Sequence, residues 1–212
     1  MLPAPKPERI RPYADAPRVP AEGPIDPRAL VGAGERPIEL ELGPGRGGFV
    51  FERLAADPEL RFVGLEIRRK WATIVDRRLA ASPHAGRGRV FAEDARSVLP
   101  RFVEHSVARV FVHFPDPWWK KRHHKRLLLG GALLEDIVRI LRPGGELFIQ
   151  TDVEERAASY EAHCNACPGL APAAGPGGPR LSENPFGAQS PRERRAVSDG
   201  LPIYRLLYRR AD

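Results

Sequence analysis

The chain has few cysteines and no long apolar run, and each shortage excludes a class of protein. A membrane-spanning helix needs a run of roughly eighteen apolar residues, and no such run occurs in the 212 residues. The amino-terminal residues also lack the apolar centre of a secretory signal peptide. We therefore expect a cytoplasmic protein with no membrane partner.

The two cysteines, Cys164 and Cys167, form one C-x-x-C pair in a segment with the pattern of a helix. A zinc site needs a second pair of ligands, and the thioredoxin type of redox motif lies elsewhere in its fold. The histidines His123 and His124 likewise have no carboxylate or cysteine at ligand spacing. The sequence therefore predicts two reduced thiols and no metal site.

Charge is distributed unevenly along the chain. The net charge of +7 favours an anionic partner, but the total alone does not separate nucleic acid from a membrane surface. Residues 120–126 hold five Lys or Arg residues and two His residues, whereas acidic residues are scattered. This local excess predicts a polyanion-binding surface, and the alternative is a solvated helix face.

Regular secondary structure begins after a proline-rich amino-terminal part. Residues 1–37 contain nine prolines, so we expect residues 1–36 to form an extended arm with at most short helical pieces. From residue 37 onward, strands alternate with helices, which predicts an α/β domain over residues 37–212. Its central sheet should be mostly parallel, with helices on both faces. The predicted strands are 38–42, 61–66, 89–92, 107–113, 146–150 and 201–208, and the predicted helices include one from about Gly47, one over 67–79 and one over 134–141.

One later segment interrupts this alternation. Residues 168–191 hold eleven Pro or Gly residues, which leaves few apolar groups to hold the chain in place. We expect a flexible loop there, which becomes ordered when substrate enters.

A glycine-rich turn follows the first predicted strand and opens a helix. Gly43, Gly45 and Gly48 have the G-x-G-x-x-G spacing of a dinucleotide site, where glycines let the backbone approach a nucleotide closely. Glu41, at the end of the strand, distinguishes two cofactors. Its charge is unfavourable beside the pyrophosphate of NAD but attracts the amino and sulfonium groups of S-adenosylmethionine. The acid therefore favours S-adenosylmethionine.

Two further acids lie at the end of a later predicted strand or just after one. Glu66 lies about twenty residues after the glycine turn and suits the ribose hydroxyls of either cofactor. Asp94 follows the third predicted strand, on the side expected for adenine. A single acid of this kind is often a surface carboxylate near a turn. Acids at three successive strand ends indicate one nucleotide-type site.

Asp116 stands between two prolines after the fourth predicted strand, directly before the basic residues. Prolines forbid further ladder pairing, so this acid should lie on a rigid loop at the sheet edge where open α/β folds bind ligands. Trp118 and Trp119 adjoin the basic side chains. Because Lys and Arg neutralise phosphates while an aromatic ring stacks on an unpaired base, this combination predicts an RNA-binding surface.

Several segments of the chain resemble those of the bacterial tRNA (guanine-N7)-methyltransferase family. They are ELGPGRG, LEI, EDA, FPDPWWKKRHHKR, LRPGGELFIQTD and GLPIYRL, and the similarity covers roughly residues 37–210. The FPDPW-x-K-x-RH segment is specific to that family, whereas the glycine turn is not. The resemblance implies a Rossmann-like methyltransferase that uses S-adenosylmethionine to methylate the variable-loop guanosine of tRNA, conventionally tRNA position 46.

The resemblance also assigns roles to individual residues. The family's cofactor-binding acids correspond to Glu41, Glu66, Asp94 and Asp116, and Asp116 also corresponds to its catalytic residue. With Gly43 and Gly45 from the turn, these acids form the predicted cofactor site. The substrate-binding positions correspond to Lys120, Asp152, Ser190 and Glu193, where S-x-x-E stands in place of the family's T-x-x-E. Trp119 departs from the Pro or His that the family pattern leads us to expect.

The expected chemistry needs few catalytic groups. Guanine N7 carries a lone pair and no proton, so its attack on a methyl group requires alignment more than deprotonation. The base becomes cationic as the methyl group arrives. Asp116 would either stabilise this charge or hold the edge of the guanine, and the sequence leaves both roles open.

Three other readings stay open at this stage. The first is a catalytically silent RNA-binding protein with the same fold, and the second is a methyltransferase of another RNA. The third, a small-molecule methyltransferase or an NAD enzyme, leaves the basic residues unexplained. The sequence also leaves open whether the protein is a monomer or a homodimer.

Overall fold

A computed structural model describes residues 12–32, 34–115, 129–175 and 177–211. All six predicted strands are found there; those at 38–42 and 107–113 have the predicted ends, and the other four have shifted ends. The strands are β1 (Ile38–Leu42), β2 (Arg61–Leu65), β3 (Gly88–Phe91), β4 (Val107–His113), β5 (Leu141–Thr151), β6 (Leu170–Pro172), β7 (Arg180–Leu181) and β8 (Tyr204–Arg210).

Helices connect most of these strands. They are α1 (Pro27–Leu30), α2 (Gly48–Ala56), α3 (Arg69–Ala80), α4 (Ala95–Val98), α5 (Gly131–Ile140), α6 (Glu154–Asn165) and α7 (Pro191–Ser198), with a 3-10 turn at Leu99–Arg101. The apolar periodicity predicted α3 and α5 well, except that Leu141 begins β5 instead of continuing α5. In the described parts of the chain, no helix combines the length and the apolar character needed to cross a membrane.

The strands form one sheet in the order β3-β2-β1-β4-β5-β8-β6, with β7 also paired to β8. The five strands from β3 to β5 are parallel to one another, and β8 runs antiparallel to β5. The order reverses between β1 and β4, which lie side by side although two strands separate them in sequence. The predicted α/β fold with a mostly parallel sheet is confirmed.

Helices cover both faces of the sheet, as predicted. On the first face, which we call the α2 face, Phe49 and Val50 of α2 pack with Val75 and Leu79 of α3. On the second face, the α5 face, the buried side chains of α4, α5 and α6 pack against the other side of the same strands. Glu39 and Glu41 of β1 point to the α2 face, because their register partners on β4 belong to that side.

The proline- and glycine-rich segment 168–191 contains more regular structure than predicted. The prediction of a loop over 168–191 is wrong at β6 and β7, both of which pair with β8. Without these strands, β8 would be an exposed edge of the sheet. Short edge strands tolerate proline, because the outer side of an edge strand forms no ladder hydrogen bonds. The flexibility of this segment stays a prediction.

The described residues of the amino-terminal arm pack against the domain. Ile25 is buried and forms a parallel bridge with Phe102, and its backbone nitrogen donates to the carbonyl of Arg101 at 2.8 Å. The helix α1 is the short helical piece expected in this arm, and Asp26 caps it by accepting a bond from the backbone nitrogen of Arg28. Residues 1–11 of the arm lie outside the described ranges.

A buried ion pair joins the centre of the sheet to α2. Arg53 of α2 binds Glu39 of β1 through Nε at 3.0 Å and Nη2 at 2.8 Å. Its Nη1 donates to the carbonyl oxygen of Phe186 at 2.8 Å. Arg109 of β4 also pairs with Glu39. One arginine therefore holds β1, α2 and the carboxyl-terminal segment together.

We predict that Arg53→Met destabilises the fold strongly. The change leaves Glu39 buried with one cation fewer, and removal of one partner of a buried pair typically costs about 3 kcal/mol or more. Arg36→Met is the matched control, because Arg36 and Glu59 form an exposed pair whose loss should cost less than about 1 kcal/mol. Urea unfolding of both variants measures the two free energies. Equal losses of stability would contradict the role assigned to Arg53.

Candidate functional site

The candidate site lies at the carboxyl edge of the sheet, where β1 and β4 end side by side. In open α/β sheets, ligands bind outside the carboxyl ends of the strands at the point where the strand order reverses. That point here lies between β1 and β4. The predicted site residues Glu41, Glu66 and Asp94 all lie at this edge, at or just after the ends of β1, β2 and β3.

The glycine-rich turn after β1 has the backbone shape that glycine alone adopts readily. Gly43 and Gly45 have φ angles of 81° and 54°, in the left-handed region. A Cβ atom built on Gly43 would meet nothing within 4 Å, and one on Gly45 would only touch the carbonyl of Gly43 at 4.0 Å. The turn therefore presents bare backbone to open space, as a nucleotide-type ligand requires.

Glu66 ties this turn to the end of β2. Its Oε2 accepts a hydrogen bond from the backbone nitrogen of Gly45 at 2.9 Å, and its Oε1 accepts one from the backbone nitrogen of Arg68 at 2.8 Å. A carboxylate has about four lone-pair positions, so two bonds leave capacity for ligand hydroxyls. The same side chain can shape the turn and bind a ribose.

Asp94 begins α4 as its N-cap. Its carboxylate accepts from the backbone nitrogen of Arg96 at 3.0 Å and pairs with the guanidinium of Arg96 at 2.7 Å. The side-chain bond from Arg96 lowers the pKa of Asp94 below its ordinary value. The acid is therefore ionised at neutral pH and partly exposed at the sheet edge.

Glu41 is held by a histidine that the sequence analysis did not select. The Nδ1 atom of His113, the last residue of β4, lies 2.8 Å from Oε1 of Glu41, and both side chains are buried. The His113 ring packs edge-on against Phe49 with centroids 4.2 Å apart. Among the residues that the structure describes, Glu41 Oε2 and His113 Nε2 have no hydrogen-bond partner. An unpartnered buried carboxylate oxygen is an acceptor that a ligand can use.

The chain turns sharply where β4 ends. Phe114 has a φ of 46°, an uncommon value for a residue other than glycine, and its backbone nitrogen donates to the carbonyl of Gln150 at 2.7 Å. This bond ends the β4–β5 pairing and directs the chain into the segment that carries Asp116 and Lys120. Those two predicted residues lie outside the described ranges.

Ser190 and Glu193 form the start of α7. The Oγ atom of Ser190 accepts from the backbone nitrogen of Glu193 at 3.1 Å, so Ser190 is an N-cap. Glu193 is completely buried, and its carboxylate pairs with Arg205 at 3.0 Å and with the Asn184 amide at 2.9 Å. A Ser that is followed directly by Pro and, three residues later, by Glu is a signal for the start of a helix. The sequence therefore carries a local signal for the start of α7.

Asp152, the remaining predicted substrate residue, follows β5 directly. Its carboxylate forms an ion pair with Arg192 of α7. The pair links the carboxyl end of β5 to the helix that Ser190 caps. Asp152, Ser190 and Glu193 therefore come together on one side of the site, and Glu41, Glu66 and Asp94 lie on the other.

A cleft of about 460 Å³ opens beside Glu193 and Arg205. Its wall is mostly polar and includes the carboxylates of Glu52 and Glu183. Glu52 accepts from the backbone nitrogen of Gln189 at 2.8 Å, which fixes the segment before α7. Carboxylates repel phosphate, so this cleft suits a group that donates hydrogen bonds.

Two polar side chains between these groups were also missed by the sequence analysis. Gln150 lies beside His113 in the β4–β5 register, and Arg205 lies beside Gln150 in the β5–β8 register. Gln150 is a polar residue near the carboxyl end of the apolar strand β5, and that pattern is the signal by which it could have been found. Arg205 lies at the amino end of β8, which runs antiparallel to β5, and only the strand pairing brings it to this edge.

The C-x-x-C pair has no place in the site. Cys164 lies on α6 and Cys167 lies just beyond its end, and both are buried on the α5 face without a disulfide. Burial raises the pKa of the Cys164 thiol to about 12 and also raises that of Cys167. Cys164 and Cys167 are free thiols in the structure, as expected.

Comparison with known proteins gives the site a context. A family model described as "Putative methyltransferase" matches residues 35–206. A tRNA (guanine-N(7)-)-methyltransferase of Anaeromyxobacter dehalogenans is 41% identical over 187 residues, which are 85% of this chain and 89% of that protein. One of the same name from Myxococcus xanthus is 37% identical over 170 residues, which are 80% of this chain and 81% of that protein.

Solved structures agree with the fold. The crystal structure of the 16S rRNA methyltransferase KamB superposes with a TM-score of 0.65 and covers 90% of this chain and 95% of that one. The two sequences are 16% identical, so this likeness concerns the fold alone.

We predict that Cys164 resists alkylation in the folded protein. Its raised pKa leaves little of the reactive thiolate at about pH 8. Iodoacetamide should therefore label Cys164 far more slowly in the native protein than in urea, as measured by mass spectrometry of the peptides. Cys167, which is 8% exposed, is the internal comparison and should be labelled first. Equal rates for native and unfolded Cys164 would disprove its burial.

Proposed function

This chain belongs to the tRNA (guanine-N(7)-)-methyltransferase family, and we propose that its methyl transfer takes place at the sheet edge between Glu41 and Glu193. The chain is a tRNA (guanine-N7)-methyltransferase, and its methyl donor is S-adenosylmethionine. The observation that carries the proposed location is the unpartnered, buried Oε2 atom of Glu41 beside an open glycine turn.

The residues on the Glu41 side of the site fit S-adenosylmethionine. Glu41 offers a free carboxylate oxygen for its amino group, and the turn at Gly43 and Gly45 leaves bare backbone beside it. Glu66 has lone pairs free for ribose hydroxyls, and Asp94 offers a charged acceptor on the adenine side. When bound, the cofactor supplies an electrophilic methyl group on a sulfonium.

The protein's own contribution is position and charge. His113 orients the carboxylate of Glu41, so the negative charge is already in place before the cofactor enters. Asp116 follows β4 by three residues and is proposed to face the guanine as it becomes cationic. No general base is required, because guanine N7 has no proton to lose.

The substrate side is proposed to involve Lys120, Asp152, Ser190 and Glu193. The two carboxylate oxygens of Glu193 are already bonded and shielded, so direct contact with guanine requires the segment 182–189 to move away. Without such movement, Glu193 acts through Arg205, whose guanidinium it holds. The basic residues 120–126 supply charge for tRNA phosphates.

A catalytically silent RNA-binding protein is the alternative from another class. Such a protein has no use for a buried carboxylate with an unpartnered oxygen, which costs stability. The Glu41–His113 pair therefore favours the enzyme. A methyltransferase of another RNA would share the cofactor side and differ on the side of Glu193.

The reaction can be tested directly, and we predict that it depends on Asp116. Wild-type protein incubated with unmodified tRNA and S-adenosylmethionine should form 7-methylguanosine, detected by mass spectrometry of the digested nucleosides. Asp116→Asn should lower single-turnover methyl transfer by roughly 100-fold, because one fixed stabilising group is lost. Asp199→Asn makes the same chemical change at an exposed acid and should be as active as wild type. If Asp116→Asn turns over as fast as wild type, Asp116 has no role in methyl transfer.

We predict that Glu66→Gln weakens the binding of S-adenosylmethionine by roughly 10-fold or more. An amide cannot accept from two backbone nitrogens and from ribose together, and charge-assisted bonds are worth about 1.5 to 3 kcal/mol each. Glu59→Gln, at an exposed acid, is the control. Calorimetric titration measures both affinities. If the two variants bind the cofactor equally well, Glu66 is not part of its site.

A further inference from the structure

The unpartnered buried polar atoms lie in one row. In the part of the chain that the structure describes, the buried side-chain atoms without a hydrogen bond are Oε2 of Glu41, Nε2 of His113, both amide atoms of Gln150 and Nε of Arg205. The register pairs His113 with Gln150 and Gln150 with Arg205, so these side chains share the α2 face at the carboxyl edge. We call these four residues the polar row.

Gln150 is the member of the polar row that contributes least to the stability of the fold. Its side chain is completely buried, and neither its Oε1 nor its Nε2 has a partner. Phe148, two residues earlier on the same face of β5, is apolar and packs against Phe111 and Phe186. A leucine at position 150 would remove two unsatisfied polar atoms. Buried groups that break packing rules are expected where a ligand satisfies them.

We propose that Gln150 and Arg205 together recognise the guanine of tRNA by its O6 and N1–H groups. This inference rests on the proposed function. The amide Nε2 of Gln150 and the Nε of Arg205 would donate to O6, while Oε1 of Gln150 would accept from N1–H. Both contacts lie on the Watson–Crick side of the base. N7 therefore stays free to face the methyl donor.

The position of the pair along the sheet favours the substrate over the cofactor. Neighbouring strands lie about 4.8 Å apart, so Gln150 on β5 is about 10 Å from β1 and its glycine turn. Arg205 on β8 is one strand further away. Glu41 and His113 occupy the near end of the polar row, beside the glycine turn, and Gln150 and Arg205 occupy its far end, on the substrate side.

Arg205 gives the pair its preference for guanine. An amide alone can turn over and bind either guanine or adenine, since it carries one donor group and one acceptor. Arginine carries donors only, and Arg205 is held in place by Glu193 at 3.0 Å and by the carbonyl of Ser182 at 2.9 Å. A donor in that place donates a hydrogen bond to O6 of guanine, whereas the amino group of adenine, itself a donor, cannot accept one.

The first test separates a binding role of Gln150 from a structural one. Gln150→Leu should raise Tm by a few degrees, leave the affinity for S-adenosylmethionine unchanged, and lower tRNA methylation by at least roughly 10-fold. Thr73→Val is the control, since the Thr73 hydroxyl is buried but bonded to the carbonyl of Arg69 at 2.9 Å. It should neither gain stability nor lose activity.

The second test changes the atoms of the base that the pair would contact. tRNA that carries 2-aminopurine at the methylated position keeps N7 but lacks O6 and N1–H, whereas inosine keeps all three. Wild type should methylate inosine well and 2-aminopurine poorly, and Gln150→Leu should reduce this difference by at least roughly 10-fold.

The outcomes are separable. Wild type that forms no 7-methylguanosine would refute the proposed function itself. If wild type is active, the inference about Gln150 fails when Gln150→Leu keeps full activity or keeps the full discrimination against 2-aminopurine. It also fails when the variant loses cofactor affinity as much as activity, because the polar row would then belong to the cofactor.

Discussion

The buried contact between Glu39 and Arg53 is the interaction on which the rest of the site depends. Glu39 lies on the central strand β1, two residues before Glu41, and Arg53 lies on the helix that the glycine turn opens. The remaining nitrogen of Arg53 binds the carbonyl of Phe186, which anchors the segment before α7. One charge pair therefore fixes both sides of the site relative to each other. A buried pair of this kind is costly to break, because Glu39 would stay buried with one cation fewer.

The residues proposed to bind ligands also hold the scaffold. Glu66 closes the turn after β1, Asp94 caps α4, and Ser190 caps α7. These bonds are local and use only part of the capacity of each carboxylate or hydroxyl. The consequence is that substitutions at these residues change shape and binding together. Conservative amide variants and matched surface controls are therefore needed to separate the two effects.

The polar row illustrates the opposite case. Gln150 and Arg205 leave buried atoms unsatisfied, and His113 leaves one ring nitrogen without a partner. Such groups lower stability until a ligand completes them, whereas the apolar faces around them are well packed. The order of the row, from the acid at β1 to the arginine at β8, matches the order in which a methyl donor and a purine base would meet. Its chemistry distinguishes a guanine from an adenine through donors and acceptors alone.

The sequence alone determined the alternation of strands and helices, the glycine turn and the acids at the strand ends, because these depend on local periodicity and backbone preference. It also carried the family resemblance. Only the tertiary structure decided which strands lie side by side, and with them the pairing of Glu41 with His113 and of Arg205 with Glu193. It also decided that the segment 168–191 supplies two edge strands, since an exposed edge of β8 can be recognised only after the sheet is assembled. Contacts between residues far apart in sequence follow from strand order, and no local pattern encodes that order.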